Sequence, residues 1–393
     1  MVNKKTVLIL GGDGYLGWSL SLAFAARTDS RVIIVDNLIK RNWEKEVKAQ
    51  SLVKLGSINK RINEYCRIFK KGNLYFENID LKKYKKVLAL IKKYRPATII
   101  NAAQQPSAPF SMIGPDRAME TIEDNIKTNL NVLWAVAEID KNIKYIKLGS
   151  VGCYLDIDAD FIPKNKVDLE FNAKGRPGKI LNSWLPMQST DFYHQSKIFS
   201  FLISDLCCKL WGLKVITVQQ STIFGATIKE NREFNHHSLS TRFNYDQIFG
   251  TVINRFVCQL AIDYPISVYG DGQQTTGLIS LSNAVDNFLR LAEIDVKAGE
   301  HMVEHNYTHK FSVAEIADIL LKIKSGEIKN IVNPRSEKKS LLEKKFEFSG
   351  LLNVELKSRE AFAADLKDLL DFAGLYKDNI DKNIINPTIK WKK

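Results

Sequence analysis

Short apolar runs alternate with helix-patterned segments through roughly the first 220 residues of the chain. The runs are rich in β-branched residues, a pattern typical of strands that are buried on both faces of a sheet. The predicted strands are Thr6–Leu10, Arg31–Val35, Leu74–Phe76, Thr98–Asn101, Tyr145–Leu148 and Lys214–Gln219. Because strands and helices alternate, the pattern predicts an α/β fold built on a doubly wound parallel sheet.

Two stretches depart from this alternation. Residues 38–71 form a long polar, helix-favouring insertion, which we interpret as a lid or an interface. Beyond residue 220, turns, aromatic residues and polar residues mix without a regular period. We therefore expect a first domain over 1–220 and a smaller C-terminal α/β lobe over 221–393 that binds the substrate, with about 276–297 packing back on the sheet.

The first apolar run breaks into glycines with the spacing Gly12-x-Gly14-x-x-Gly17, and a helical pattern follows. This spacing lets the backbone turn tightly and approach a pyrophosphate, which then faces the N-terminus of the helix. The second run ends at Asp36, whose carboxylate can hold the ribose hydroxyls of adenosine. The pattern predicts a Rossmann-type dinucleotide site. Asp36 favours NAD because a carboxylate repels a 2′-phosphate, whereas Lys40 and Arg41 keep NADP open.

A second constellation carries candidate chemistry. Tyr193 and Lys197 lie one helical turn apart on the same predicted helix face, and Ser150 follows a predicted central strand. A lysine ammonium beside a phenol, together with a positive nicotinamide, is expected to lower the pKa of the tyrosine towards neutrality. The tyrosine then serves as a base for a sugar or alcohol hydroxyl, to which Ser150 also donates a hydrogen bond.

Composition limits which partners, locations and bound groups the chain is expected to have. The formal charge of +13 comes from lysines spread over solvated helix faces, so we expect an anionic substrate and no nucleic-acid partner. No apolar run is long enough to span a bilayer and the first residues hold no apolar signal region, so we expect no membrane partner and a cytoplasmic location. Five cysteines without a Cys-x-x-Cys pair or a histidine cluster predict neither a disulfide framework nor a metal site.

Motifs along nearly the whole chain carry a family resemblance. They are GGDGYLGW at 11–18, VDNL at 35–38, SAPFSMI at 107–113, KLGS at 147–150, YHQSK at 193–197, NYDQIFGT at 244–251, NPR at 333–335 and IKWKK at 389–393. Together they resemble the extended short-chain dehydrogenase/reductases, a group of NAD-dependent epimerases and dehydratases, and within it the branch that makes UDP-sulfoquinovose.

The resemblance implies an activity. Bound NAD would take a hydride from C4 of UDP-glucose while Tyr193 removes the hydroxyl proton, assisted by Ser150 and Lys197. Water would then be lost across C5 and C6, sulfite would add at C6, and the hydride would return to C4. His194 would serve the dehydration and sulfite steps. The implied partners are UDP-glucose, sulfite that arrives free or from a delivering protein, and a second copy in a homodimer.

The resemblance also implies two sets of binding residues. The cofactor would contact Gly11, Gly14, Tyr15, Leu16, Gly17, Asp36, Asn37, Arg41, Asp80, Leu81, Ala102, Ala103, Gln104, Asn125, Tyr193 and Lys197. The nucleotide sugar would contact Gln105, Ser107, Gln220, Thr222, Asn254, Arg255, Gln274 and Arg335.

The chain departs from that branch at four positions. Ser150 stands in place of a threonine, which keeps the hydroxyl, and Cys153 stands in place of an acidic residue. Pro106 and Thr276 each stand in place of an arginine, which removes a candidate sulfite anchor and a diphosphate contact.

Two other functions stay open. A plain UDP-sugar 4-epimerase needs only the tyrosine, lysine and serine, whereas a simple 4,6-dehydratase needs an Asp-Glu pair directly after Ser150 where this chain has Val151 and Gly152. A catalytically inactive nucleotide-binding sensor is the third interpretation, and the retention of Tyr193, Lys197 and Ser150 speaks against it.

Overall fold

A computed structural model describes residues 5–154, 156–157, 159–232, 237–334, 345–347, 352 and 356–387. The strands are β1 (Thr6–Leu10), β2 (Arg31–Asp36), β3 (Leu74–Asn78), β4 (Thr98–Asn101), β5 (Lys144–Leu148), β6 (Phe161–Ile162), β7 (Val167–Ala173), β8 (Arg176–Ser183), β9 (Lys214–Gln220), β10 (Thr222–Phe224), β11 (Ile266–Tyr269), β12 (Thr275–Ser280), β13 (His301–Asn306), β14 (His309–Ser312), β15 (Ile328–Ile331) and β16 (Lys345–Phe346). The α-helices are α1 (Tyr15–Arg27), α2 (Ile39–Glu46), α3 (Ile58–Phe69), α4 (Tyr84–Tyr94), α5 (Ala108–Ser111), α6 (Pro115–Ile139), α7 (Phe192–Trp211), α8 (Lys229–Arg232), α9 (Val252–Ala261), α10 (Leu281–Glu293), α11 (Val313–Ile323) and α12 (Arg359–Leu375).

Seven parallel strands form the central sheet in the order β13-β9-β5-β4-β1-β2-β3, which confirms the predicted doubly wound α/β fold. One face of the sheet is covered by α1 and α10, and the other by α4, α6 and α7. The carboxyl ends of β1, β2, β4 and β5 therefore open onto one edge, where parallel-sheet enzymes place their sites.

Six of the seven strands lie where the apolar runs predict them. The seventh, β13, comes from beyond residue 220 and was not predicted. Its sequence mixes His301, Glu304, His305 and Asn306 with apolar residues. Hydrogen bonds accommodate His301, His305 and Asn306, and the two histidine rings also pack against aromatic side chains. The antiparallel hairpin of β7 and β8 was not predicted either.

The chain after β9 supplies a second apolar core around α9, α11 and α12, beside the small sheets β10-β12-β14 and β11-β15. Helix α10 returns to pack against α1 on the central sheet. The insertion 38–71 forms α2 and α3, and Ser51 bridges to Asn244 of the following lobe. The two-domain division at residue 220 stays a prediction. Within the described residues no helix is both long and apolar enough to cross a membrane.

Candidate active site

The glycine loop brings bare backbone to the sheet edge. Gly11 has φ +79°, and a Cβ there would lie 2.6 Å from the backbone nitrogen of Ala103. A Cβ on Gly17 would lie 2.0 Å from the carbonyl oxygen of Gly11, so α1 packs against the loop as closely as glycine allows. Helix α1 begins at Tyr15 with Gly14 as its N-cap, which leaves its first amides available to an anionic group.

One large cavity, of about 510 Å³, runs from this loop to the second lobe. Most predicted site residues line it, and these are Gly11, Gly14, Tyr15, Leu16, Gly17, Asp36, Asn37, Leu81, Ala102, Ala103, Gln104, Ser107, Ser150, Tyr193, His194, Gln220, Thr222, Asn254, Arg255 and Gln274. The glycine loop and Asp36 at one end fit the pyrophosphate and adenosine ribose of a dinucleotide.

Asp36 and Arg41 decide between the two nicotinamide cofactors. The Asp36 carboxylate accepts hydrogen bonds from the backbone nitrogens of Leu38 at 2.6 Å and Asp13 at 2.9 Å. Arg41 was expected to contact the cofactor, but it donates two hydrogen bonds of 2.8 Å to the Asp13 carboxylate and does not line the cavity. Because Arg41 is held by Asp13, it does not offset the repulsion between Asp36 and a 2′-phosphate, which favours NAD. Lys40, the other cation that keeps NADP open, does line the cavity.

Asp13 is the centre of a buried ion network that the sequence did not predict. Arg61 donates to its carboxylate at 3.1 Å and Arg242 at 2.6 Å, and both arginine side chains are almost fully buried. Burial raises the pKa of Asp13, but the Arg41 hydrogen bond and the charges of Arg242 and Arg61 outweigh it and leave the pKa below its ordinary value. The network ties the glycine loop to the insertion and to the segment after residue 239.

Ser150 and Tyr193 line the same cavity, where β5 ends and α7 begins. The backbone nitrogen of Ser150 donates to Gln219 at 2.8 Å, and the Ser150 hydroxyl oxygen accepts from the backbone nitrogen of Gly152 at 3.1 Å. The hydroxyl proton of Ser150 is therefore left to donate to a substrate oxygen. Tyr193 sits in the first turn of α7, with its backbone nitrogen bonded to Ser111 at 3.2 Å.

Lys197 lies beneath the tyrosine. Its ammonium nitrogen is 5.4 Å from the ring centroid of Tyr193, and it donates to the carbonyl oxygen of Leu148 at 2.8 Å and to the side chain of Gln104. Lys197 is fully buried and does not line the cavity itself. Through these two hydrogen bonds Lys197 connects the end of β5 with the loop after β4.

The protein groups alone do not produce the predicted lowering of the Tyr193 pKa. Burial raises the pKa of Tyr193, and the charges of Cys153 and Asp191 raise it further. Burial and the charge of Lys147 lower the pKa of Lys197 well below its usual value. Any lowering of the Tyr193 pKa must therefore come from positive charge brought by a bound ligand.

His194 borders the same part of the cavity. Its Nδ1 lies 2.7 Å from the Asp191 carboxylate, and its ring lies against Gly152, where a Cβ would be 2.2 Å from Nε2. The backbone nitrogen of Gly152 thus contacts the Ser150 hydroxyl, while the Cα of Gly152 lies against the His194 ring. A proton-transfer group therefore stands beside the serine and the tyrosine.

Besides Arg41 and Lys197, three more of the predicted residues do not line the cavity. Asn125 and Gln105 are buried and bond to each other at 2.7 Å and 3.2 Å, and Asn125 also bonds to Ser196. Asp80 accepts from the backbone nitrogen of Lys82 at 3.0 Å and does not line the cavity. Arg335 lies outside the described residues, as does the segment 388–393.

Three of the positions that depart from the family resemblance, Ser150 among them, lie in the cavity wall, and the fourth is buried. Pro106 and Thr276 line the cavity, so the two expected arginines are absent from its wall. Cys153 is buried, and burial together with Asp191 raises the pKa of its thiol well above the usual value despite the opposing charge of Lys197. Among the described residues, no group of three His, Cys, Asp or Glu side chains could hold a metal ion.

Residues 7–303 match the NAD dependent epimerase/dehydratase family. The chain is 31% identical over 399 residues to the chloroplastic UDP-sulfoquinovose synthase of Spinacia oleracea, covering 99% of this chain and 80% of that protein. It is 31% identical over 396 residues to the UDP-sulfoquinovose synthase of Sulfolobus acidocaldarius, covering 98% of both. The solved UDP-glucuronic acid 4-epimerase of Bacillus cereus, in complex with UDP-glucuronic acid and NAD, shares the fold with a TM-score of 0.67 at 14% identity, covering 94% of this chain and 99% of that one.

Proposed function

The chain belongs to the NAD dependent epimerase/dehydratase family, and from that premise we propose that it makes UDP-sulfoquinovose from UDP-glucose and sulfite. It is an NAD-dependent enzyme that modifies a nucleotide sugar. The observation that carries the narrower proposal is the position of His194 beside Ser150 and Tyr193 in one cavity. Exchange of the C4 configuration needs no such group, whereas loss of water across C5 and C6 needs a base near C5.

The glycine loop and Asp36 would hold NAD, which when bound would supply reversible hydride storage at C4. Tyr193 accepts the proton of the C4 hydroxyl, and Ser150 donates a hydrogen bond to the same oxygen. Lys197 lies 5.4 Å from the ring centroid and holds the Leu148 carbonyl and the Gln104 side chain beneath the phenol, whereas positive charge on the bound ligand stabilises the phenolate. These residues account for the formation of a 4-ketone, which makes the C5 proton acidic.

His194 then carries the second half of the chemistry. Its Nε2 accepts the C5 proton, the C5–H electron pair forms the C5=C6 bond, and the C6 hydroxyl leaves with the proton as water. Bisulfite then forms a C–S bond at C6, and its proton passes through His194 to C5. The net change is replacement of the C6 hydroxyl by sulfonate with release of water, without net oxidation or reduction.

The alternative is a UDP-glucose 4-epimerase, and the cavity wall favours it at one position. Pro106 places no cation where the family resemblance puts an arginine that would hold sulfite. Thr276 removes a diphosphate contact that both functions would use, so it does not separate them. The cavity keeps Arg255 and Lys40 among its lining residues. Burial lowers the pKa of Lys40 to about 8, so it carries much of its charge near neutral pH.

Purified protein incubated with UDP-glucose, with and without sulfite, tests the proposal. We expect a sulfonated nucleotide sugar by mass spectrometry only when sulfite is present. UDP-galactose as the product under both conditions would reject the synthase in favour of the epimerase. No turnover despite bound NAD would support the inactive sensor instead.

A homodimer forms a second part of the proposal. Helix α7 exposes Leu202, Leu206 and Leu210 at intervals of four residues, so they form one apolar stripe, and the exposed Trp134 of the neighbouring α6 extends it. A second copy packing the same helices against this stripe would cover it. Leu206→Asp is expected to shift the molar mass measured by light scattering from dimer to monomer, and a monomeric unmodified chain would reject the dimer.

A further inference from the structure

Asp191, the residue immediately before α7, holds His194 with both carboxylate oxygens. Oδ1 accepts the backbone N–H of His194 at 2.8 Å as the N-cap of the helix, and Oδ2 lies 2.7 Å from the imidazole Nδ1. The Asp191 side chain is only 2% exposed, and that of His194 is 15% exposed. Water is therefore largely excluded from the pair, and a charge-assisted hydrogen bond is stronger in such surroundings than in water.

The chemistry of this pair fixes which ring nitrogen carries the proton. An ionised carboxylate can only accept hydrogen bonds, and Asp191 receives one from the backbone amide and one from the ring. In the neutral imidazole the proton must therefore reside on Nδ1, which leaves the Nε2 lone pair unprotonated. Nε2 lies on the side of the ring that faces Gly152, and both residues line the cavity.

We propose that Asp191 is a positioning residue that sets the tautomer and orientation of His194, so that Nε2 is presented to the substrate as a base. The inference rests on the proposed function for its role in turnover, since Nε2 is the atom to which the C5 proton passes. The Asp191 carboxylate also stabilises the imidazolium that forms when Nε2 accepts this proton, without itself taking up a proton. Asp191 acts through His194 and needs no contact with the sugar.

Two substitutions separate the tautomer from the helix cap. Asp191→Asn keeps an oxygen that can cap the helix but turns an N–H towards Nδ1, which moves the imidazole proton to Nε2. Asp191→Ser keeps a hydroxyl that can cap the helix but is too short to reach the ring. Both variants are therefore expected to fold, and they differ in what they do to His194.

The first readout is the tautomer itself. Long-range ¹H–¹⁵N correlation spectra at about pH 8 report the protonated ring nitrogen of neutral histidine, and the His194 signal is assigned by comparison with His194→Gln. We expect Nδ1–H in the unmodified protein, Nε2–H in Asp191→Asn and a mixture in Asp191→Ser. Nε2–H in the unmodified protein, or an unchanged tautomer in Asp191→Asn, would overturn the proposal.

The second readout is the rate at which solvent deuterium enters C5 of UDP-glucose, divided by the rate of C4 oxidation. Removing general base catalysis typically costs about 10²–10⁴-fold, so we expect Asp191→Asn to lower this ratio by at least about 10²-fold and Asp191→Ser by less. An equal ratio in all three proteins would overturn the catalytic role of Asp191. If the unmodified protein shows the Nδ1–H tautomer but neither C5 exchange nor a sulfonated product, the proposed function fails while the placement of His194 by Asp191 stands.

Discussion

Gly152→Ala tests the geometry around His194 without touching a reacting group. A methyl group at Gly152 would lie 2.2 Å from Nε2 and 2.3 Å from Cδ2 of the ring. Ordinary contacts between such atoms are about 3.5–4.0 Å, so the ring must retreat by more than about 1 Å. A retreat of that size breaks the 2.7 Å contact between Nδ1 and Asp191 or moves Nε2 out of line with C5. A misplacement of about 1 Å can cost about 10²-fold in rate.

We therefore expect Gly152→Ala to lower deuterium exchange at C5 by about 10²-fold. The obstructing atoms are the far end of a side chain, so the protein is expected to fold, with a loss of stability of about 1–3 kcal/mol where the buried hydrogen bond to Asp191 breaks. Exchange is followed by mass spectrometry in D₂O, and C4 oxidation by the absorbance of reduced nicotinamide. Gly72→Ala is the matched control, because a Cβ there meets nothing within 4 Å.

A double variant shows whether the effect passes through the ring. If Gly152→Ala acts only by displacing His194, it should lower the exchange rate little further in a His194→Ala background. Full exchange in Gly152→Ala, or an equal loss in both backgrounds, would refute this account of the site.

Three further outcomes are expected. Tyr193→Phe should abolish C4 oxidation while NAD remains bound, and unchanged oxidation would reject the phenol as the base. Asp13→Ala should lower the free energy of unfolding in urea by about 3–5 kcal/mol, because it removes the carboxylate that pairs with the fully buried guanidinium of Arg61. A loss below about 1 kcal/mol would mean that the network contributes no more than an exposed ion pair. Burial lowers the pKa of both His305 and His309 to about 4. The unfolded chain thus binds protons at higher pH than the folded one, so each histidine should cost about 3 kcal/mol of stability as the pH falls from about 6.5 to 4. Because burial raises the pKa of Asp124 to about 6, that carboxyl acts in the opposite direction, and the measurement is the difference in pH dependence between the unmodified protein and His305→Gln. An identical pH dependence of unfolding in the two proteins would contradict the assignment.

The central sheet could be predicted because its inner strands are short apolar runs that end in distinctive residues. The glycine loop and Asp36 follow two of these runs, and the carboxyl ends of parallel strands meet at one edge. Strand β13 was not predicted because its sequence holds no apolar run, and hydrogen bonds accommodate buried polar side chains such as His305 and Asn306. Periodicity of apolar residues cannot show such a strand.

Helix phase explains why Asn125 does not line the cavity. Asp124 and Thr128 line the cavity from α6, whereas Asn125 between them turns about 100° away towards Gln105 and Ser196. One residue of error in the helical register thus exchanges a cavity position for a buried one. Without the contact partners the sequence does not determine this rotation.

The sequence could have revealed the partner of His194 but not the ion network around Asp13. Asp13 meets Arg61 and Arg242, which lie 48 and 229 residues away along the chain, so no local pattern connects them. Asp191, by contrast, precedes His194 by three residues at the start of a predicted helix, which is the spacing of an N-cap aspartate and its N3 residue. That local pattern could have identified Asp191 from the sequence.

The most direct test of the central claim is the isotopic composition of the product formed from UDP-glucose and sulfite in D₂O. The proposed chemistry predicts UDP-sulfoquinovose with deuterium at C5, where the proton exchanges through His194, and with the original hydrogen at C4, where the stored hydride returns. UDP-galactose with no deuterium at C5 would contradict it, because that product requires oxidation and reduction at C4 alone.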